Sequence, residues 1–534
     1  MRIAALFFLA LLVPLAYTQN IPVVPRPAKI ENGKSGLLTL SDKTEIVFDA
    51  ELVNSAGFFR DYCSEKYRLL LKTVRLENAG KKPHQIRLHL DNSFKVGQYR
   101  FEITARGIEI RGSESGVFYG IQSLIQLLPA SAEAGQKNLS VPFIKISDEP
   151  RFGYRGILLD VSRHFFSIGF LKECIDLAAY HKINYFHLHL TDDQGWRIEI
   201  KKYPKLNQVG SWRYGTTIGQ YPGTGNDSIF YGGFYTATEI KDLVAYARER
   251  YVTIVPEIEM PGHSMAALAS YSYLGCTGGP YRVKETWGAA DDVFCAGNDS
   301  VFVFLQDILD EVLELFPSEY IHIGGDECPK ERWKNCPKCQ ARIKSEGLKD
   351  ENELQGYFIN RIEKYIRSKG RSIIGWDEIL EGGVSPDAIV MSWRGDGKTG
   401  CLEAVKTGHK VILSPSYGFY LDYPQTSGED SLTANWGGVT TVKAAYMFEP
   451  DGSGLSAEEA RYVIGGQANV WTEYMSNPAK VEYMMFPRLS AISEVLWTPK
   501  DARDWEDFKL RMAEQYRRYK LWGTHFNPAG IDME

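Results

Sequence analysis

Asp326 and Glu327 stand side by side directly after the apolar run YIHIGG at 320–325. Two adjacent carboxylates repel. In a partly desolvated pocket that repulsion raises the pKa of one, so one stays ionised while the other carries the proton a general acid needs at neutral pH. Neighbouring residues at a strand end point in different directions, so they cannot form the facing pair, roughly 5–9 Å apart, of an ordinary two-carboxylate glycosidase. Both would approach a substrate from one strand. With no opposing nucleophile evident, the spacing invites a mechanism in which the substrate supplies its own.

The pair belongs to a larger set. Arg163-His164 follow LLDVS, Asp192-Asp193 follow HLHLT, and Glu257 and His263 lie in VTIVPEIEMPGH. Trp376-Asp377-Glu378 follow SIIG, Trp393-Arg394 follow VMS, and Trp471 and Glu473 close GGQANVWTE. Any one of these, taken alone, could be a buried polar residue that satisfies neighbouring backbone. The whole set at the ends of apolar runs points to a functional site. The 11 Trp, 30 Tyr and 26 Phe suit a carbohydrate ligand, whose apolar faces stack on aromatic rings while its hydroxyls take carboxylates and arginine. Against this, 61 Lys and Arg are outnumbered by 67 Asp and Glu, and no basic run offers the cationic footprint that a nucleic acid requires.

The elements that must position these residues read as an alternation of strands and helices after residue 150. Strand-like runs occur at 156–162, 184–190, 252–259, 320–325, 372–376, 388–393, 410–415 and 462–471, with helical periodicity at 171–180, 239–250, 301–316 and 353–368. Eight strands in this order predict an α/β chain with a (β/α)8 TIM barrel, whose active site lies at the C-terminal ends of the strands. A doubly wound sheet is the alternative, but no Gly-rich phosphate turn follows any strand. Residues 19–150 read instead as a small α+β domain, with alternating segments at 84–90 and 99–112, an amphipathic run at 115–128 and a linker at 129–138. Residues 151–534 form the barrel and a last helix at 505–519.

Residues 1–18 have a charged start, an apolar run at 3–15 too short to span a bilayer, and Ala16-Tyr17-Thr18 as a cleavage site with small residues at 16 and 18. This is the pattern of a secretory signal peptide and predicts export to a periplasmic, secreted or lysosome-like compartment. No later stretch is a membrane-span candidate. Export makes the eight cysteines potential disulfide partners. Cys276 and Cys295 bracket a Gly- and Pro-rich loop and are expected to pair. Cys328, Cys336 and Cys339 cluster in CPKERWKNCPKC, where a local disulfide is favoured over zinc because the neighbourhood supplies no fourth ligand. Cys63, Cys174 and Cys401 are expected to be buried thiols. Asn138, Asn226 and Asn298 are N-x-S/T acceptor sites.

RGILLDVSRHFF, HLHLTDDQGWR, PEIEMPGH, HIGGDE, GWDE, MSWRG, YLDY and VWTE, in this order, resemble the glycoside hydrolase family 20 β-N-acetylhexosaminidases. The resemblance covers nearly the whole chain after the leader, the front domain being similar to that family's accessory α+β domain. It implies a retaining exo-glycosidase that releases non-reducing terminal β-linked N-acetylhexosamine by substrate assistance, without metal or cofactor. Glu327 would then be the general acid/base. Asp326 would hold the 2-acetamido N–H while the acetamido oxygen attacks C1 to give an oxazoline-type intermediate, and Tyr420 would donate to that oxygen. The resemblance further implies that Arg163, Asp422 and Glu473 bind the sugar and that Trp376, Trp393, Trp436 and Trp471 wall it. Asp192 and His263 would link to Glu327 and tune its proton affinity. His187 and His189 alternate with apolar residues and read as core or supporting histidines, not as metal ligands. The partner implied is a glycan or chito-oligosaccharide ending in GlcNAc or GalNAc.

Competing readings are a relative in the same family that releases a disaccharide (a lacto-N-biosidase) or a sulfated GlcNAc, and a carbohydrate-binding protein on a degenerate barrel. The last predicts loss of the catalytic carboxylates, which this chain retains. An endo-acting chitinase-type barrel would place several acids at alternate positions along one strand, unlike IHIGGDE.

Overall fold

A computed structural model describes residues 21–130, 139–429, 432–452 and 454–531. The expected signal peptide and Asn138 lie outside these residues.

In the front domain a seven-stranded sheet runs in the order Lys29–Leu40, Leu139–Asp148, Tyr99–Thr104, Gly107–Gly112, Gln85–Leu90, Glu45–Phe48 and Lys72–Arg75. Its Tyr99–Thr104 strand alternates buried and exposed residues, as a strand with one covered face must. The helix Glu114–Leu127 starts at Ser113, whose hydroxyl accepts from Gly116 N–H. Gly116 to Leu127 are all buried, because this helix packs on the sheet on one side and meets the barrel domain on the other.

The barrel is closed and wholly parallel. Its strands, in spatial as well as chain order, are β1 (Tyr154–Asp160), β2 (Tyr185–His189), β3 (Thr253–Glu257), β4 (Tyr320–His322), β5 (Ser372–Trp376), β6 (Ile389–Ser392), β7 (Val411–Leu413) and β8 (Val463–Val470). β8 pairs back to β1, from Gly465 opposite Tyr154 to Val470 opposite Leu159. Each expected strand-like run supplies one barrel strand, and the expected helical stretches match Ile168–Tyr180, Ala237–Arg248, Asp299–Leu315 and Glu351–Ser368, the second and third ending one or two residues short of the expected 250 and 316. All seven residues of β1 are buried, since helices cover the outside while side chains fill the inside. The chain ends in the helix Trp505–Trp522. Among the described residues no helix is long and apolar enough to cross a membrane.

The two domains are joined through buried polar groups. Asp148, at the end of the front sheet, accepts hydrogen bonds from Tyr99 Oη (2.8 Å), Lys182 Nζ (3.0 Å) and the Trp497 indole (3.0 Å). The Lys182 ammonium and the Asp148 carboxylate are both fully buried.

The cysteines depart from expectation. None of the eight is bonded, and neither the Cys276–Cys295 bridge nor a local bridge within 328–339 is formed. Cys276 and Cys295 instead meet Cys336 and Cys339 in one cluster, because the 271–298 excursion folds back onto the helix Pro337–Glu346. The two further cysteines that the local sequence lacked come from a segment some 40 to 60 residues away. Cys63, Cys174 and Cys401 are buried thiols, as expected.

Candidate active site

The polar strand endings converge at the C-terminal mouth of the barrel. Beyond β4 the chain turns through Gly324 (φ +68°) and Gly325 (φ +98°), where a Cβ on Gly324 would collide with the Glu259 carboxylate and one on Gly325 would stand 2.6 Å from Ile379. This tight turn brings Asp326 and Glu327 into the pocket, Glu327 itself in the left-handed region (φ +41°).

His263 lies between two pairs of carboxylates. Its Nδ1 is 3.2 Å from Asp192 and 3.5 Å from Asp193, and its Nε2 is 3.5 Å from both Asp326 and Glu327. Asp192 also takes Arg163 Nη2 (2.8 Å) and His189 Nε2 (2.9 Å), and the other nitrogen of His189 meets Glu257. Glu257 sits at the barrel centre, 3.0 Å from His187, 2.7 Å from His322 and 3.0 Å from the Trp376 indole nitrogen. The result is a buried chain of alternating charge that runs from Glu257 through His189, Asp192 and His263 to the Asp326-Glu327 pair. Burial opposes every charge in it, and for Glu257, His189, Asp192 and His263 the neighbours outweigh burial. His189 is raised to about 10 by Glu257 and Asp192, and His263 is raised well above the histidine range by Asp192 and Asp326. Asp192 is held well below the carboxylate range by Arg163 and His263, and Glu257 by His322 and His189.

Within the reactive pair the order differs from the expected one. Burial pushes Asp326 up to about 6, with His263 pulling the other way and Glu327 adding to the rise. Glu327 is lowered, first by its hydrogen bond to His263 and against partial burial. The reason is exposure: the Glu327 side chain is 49% exposed and that of Asp326 only 15%. In the free site the carboxyl that holds a proton more readily is therefore Asp326.

Arg163 is fixed by Gln194 (3.0 Å), Asp160 (3.4 Å) and Asp192, and its guanidinium lies 5.3 Å from the Trp471 ring centre. Asp160, at the end of β1, also accepts from the backbone N–H groups of Ser162, Arg163 and Thr472, tying the ends of β1 and β8 together. Tyr420 is bridged to Asn469 of β8 and leads the segment that carries Asp422. Arg488 holds that segment by donating to the carbonyls of Leu421 (2.7 Å) and Tyr423 (2.8 Å). Asp422 is 4% exposed, yet neither of its carboxyl oxygens accepts a hydrogen bond from the protein; the same holds for Asp326 Oδ1 and Glu473 Oε2. Burial and, second, Glu473 raise Asp422 well above the carboxylate range.

The aromatic residues take three different places. Trp393 stacks on Tyr420 with ring centres 6.1 Å apart, and its indole donates to Glu378 (3.0 Å). Trp471 packs against Tyr420 and against Trp376. Trp376, 1% exposed, lies deepest of the four, against Trp471, with its N–H committed to Glu257. Trp436, 52% exposed, stands at the rim and reaches the cluster through Tyr474 (5.9 Å). The structure thus brings Arg163, Asp192, His263, Asp326, Glu327, Trp393, Tyr420, Asp422, Trp471 and Glu473 to one mouth, with Trp376 below and Trp436 outside.

Sequence reasoning assigned no role to Glu259 or Glu378. Both are raised by burial first and by the Asp326 charge second, Glu378 to about 8. Glu259 lies two residues after Glu257, and that period-two spacing of carboxylates at a strand end was the available signal. Glu378 was visible in GWDE, but its link to Trp393 depends on β5 lying beside β6.

A closed barrel with such a mouth defines a class of enzyme-like scaffold, and comparison with known proteins gives the family. The model of the glycosyl hydrolase family 20 catalytic domain matches residues 152–500, and that of the family's domain 2 matches residues 20–149. The chain belongs to glycosyl hydrolase family 20. A β-hexosaminidase of Porphyromonas gingivalis is 43% identical over 96% of this chain, which spans 65% of that protein's length. An exo β-N-acetylglucosaminidase of Vibrio harveyi, solved with N-acetylglucosamine, superimposes with a TM-score of 0.85 at 32% identity, covering 96% of this chain and 79% of its own. A mutant Streptomyces plicatus β-hexosaminidase in complex with product (GlcNAc) gives 0.83 at 31% identity, with 96% and 98% covered.

Proposed function

We propose that this protein is a retaining exo-β-N-acetylhexosaminidase in which the acetamido group of the substrate acts as nucleophile. The observation that carries the reading is the set of buried acceptors without protein donors: Asp326 Oδ1, both carboxyl oxygens of Asp422 and Glu473 Oε2. Such groups are costly unless a ligand brings N–H and O–H donors. A terminal N-acetylhexosamine brings one amide N–H and several hydroxyls, and Trp393, Tyr420 and Trp471 offer faces for its ring and acetyl methyl.

The reaction uses few groups. The acetamido oxygen bonds to C1 as the bond from C1 to the leaving oxygen breaks, and the proton on Glu327 passes to that oxygen. The positive charge that develops on the bicyclic oxazoline is stabilised by ionised Asp326 on the N–H, while Tyr420 orients the carbonyl. Water then loses a proton to Glu327 and adds to C1, opening the ring with net retention. Glu378 does not compete as a nucleophile at neutral pH: it is pushed up to about 8, and its Oε2 accepts from Trp393. In the free site protonated His263 holds Glu327 low, and a bound sugar that covers its half-exposed carboxyl raises it by desolvation. The relatives' names, the GlcNAc complexes of the neighbours and the leader-like residues 1–18 support release of terminal GlcNAc by an exported enzyme.

Substrates with progressively fluorinated acetamides test the nucleophile. The rate should fall steeply with each fluorine, and a neutral thiazoline analogue should inhibit well below the substrate KM. A flat response, or a glycosyl ester trapped on a carboxylate, would show that the protein supplies the nucleophile. A panel of chromogenic β-GlcNAc, β-GalNAc, β-Glc and β-lacto-N-biosyl substrates tests the released unit, with turnover expected on the first two.

A further inference from the structure

Four cysteines outside the catalytic pocket converge from two distant segments. Cys276 and Cys295 lie at either end of the loop after β3, Cys336 is the N-cap of the helix Pro337–Glu346, and Cys339 sits in its first turn. The sulfur of Cys295 is 3.7 Å from those of Cys336 and Cys339, and that of Cys276 is 3.9 Å from Cys339; all four lie within 4.8 Å of one another. These separations are far beyond an S–S bond of about 2.05 Å. Four thiolates at about 2.3 Å from one zinc ion in a tetrahedron stand about 3.8 Å apart. The geometry points to a structural zinc site formed by Cys276, Cys295, Cys336 and Cys339, which clamps this loop to the segment that follows the catalytic pair.

The surroundings suit a metal thiolate. Cys295, Cys336 and Cys339 are buried, and Cys276 is partly exposed, leaving an entry path. A Cβ on Gly297 would collide with the backbone of Lys338, so the glycine allows the two segments to approach. The amino end of a ten-residue helix faces the two CxxC sulfurs and favours their negative charge. Binding would displace the thiol protons, giving a closed four-sulfur site with no open position and no redox change.

Such a clamp has a purpose in this fold. Between its two cysteines the loop supports the active-site wall: Lys284 N–H donates to Asp193 O (2.9 Å), Ala290 N–H donates to Asp193 Oδ2 (3.0 Å), and Thr286 O accepts from Gln194 (2.9 Å), which itself orients Arg163. Cys336 follows Glu327 on the same βα connection. The zinc would tie the wall that orders Asp193 and Gln194 to the strand end that carries the acid.

The full chain, purified without chelator, should contain one zinc per molecule. After denaturation in chelator all of its cysteines should react as free thiols. Cobalt exchanged into the native protein should give the sulfur-to-metal charge-transfer and visible bands of a tetrahedral four-thiolate centre. Removing the metal should lower Tm and open residues 277–294 to proteolysis, and C336S/C339S should abolish cobalt and zinc binding. Disulfides among these four cysteines, a reduced protein that takes up no metal, iron at the site, or zinc retained in C336S/C339S would each overturn the proposal. The metal and thiol analyses of the unmodified protein decide it even if the double variant does not fold.

Discussion

Asp326 and Glu327 are adjacent and chemically alike, and their surroundings drive them apart. Burial keeps a proton on Asp326 up to about pH 6, so the ionised form that holds the acetamido N–H is lost as pH falls through 6. The acid limb of kcat/KM should therefore lie near that value, and Asp326→Asn should depress the chemical step and flatten the limb. The same shift has a sign for stability. A carboxyl raised in the folded state binds more protons folded than unfolded between about pH 4 and 6, so it costs stability above pH 6 and nothing below both values. Asp326→Asn should raise Tm at pH 7.5 by the equivalent of ~2–3 kcal/mol, at about 1.4 kcal/mol per pKa unit, and the gain should shrink towards pH 4; an equal gain at both pH values would contradict it. Glu327→Gln should cost about 10²–10⁴ in rate on poor leaving groups and far less on good ones, which need little protonation. Equal losses across leaving groups of different pKa would remove Glu327 as the acid.

At the scale of elements, the wall built by the ends of β6 and β8 and by the 420–423 segment is a stack whose members differ in depth. Trp393 lies against Tyr420 and is held by Glu378, so Trp393→Ala should raise KM and lower kcat together, the second because the acetamido group is no longer positioned for attack. Unchanged kinetic constants beside a lowered Tm would make Trp393 a packing residue. Trp436 stands at the rim, and Trp436→Ala should leave kinetics on a small chromogenic glycoside unchanged while raising KM on longer oligosaccharides. The family resemblance grouped these tryptophans together, whereas their depth depends on strand neighbours and loop course that no local spacing encodes.

At the scale of the whole molecule, the front domain is fastened to the barrel through a buried ion pair. Asp148 and Lys182 have no access to water, and Asp148 also receives Tyr99 and Trp497. Asp148→Asn would leave the Lys182 ammonium buried without its counter-charge and should cost ~3–5 kcal/mol, read as a lower midpoint in denaturant; adding Lys182→Met should restore much of it. No gain on adding the second substitution would show that the pair is not the coupling element. Sequence patterning had placed a domain change near residue 150, but Asp148 and Lys182 lie 34 positions apart and neither stands in a motif.

Local chemistry was legible wherever it depends on chain neighbours. The apolar runs fixed by period and length became the eight barrel strands, and because a parallel barrel gathers all its strand ends at one mouth, polar residues following those runs had to meet there. Partnership across space was not legible. His189 read as a supporting histidine and proves to join Glu257 to Asp192; Glu259 and Glu378 received no role; the raised carboxyl of the pair is set by how much water each side chain sees. The cysteines show the same division. CPKC read as a local disulfide, and its meeting with Cys276 and Cys295 was hidden by a loop whose return path is decided by packing against the helix Pro337–Glu346. Spacing along the chain carries the identity of a reactive group, while its charge state and its partners follow from burial and from which segments the tertiary fold lays side by side.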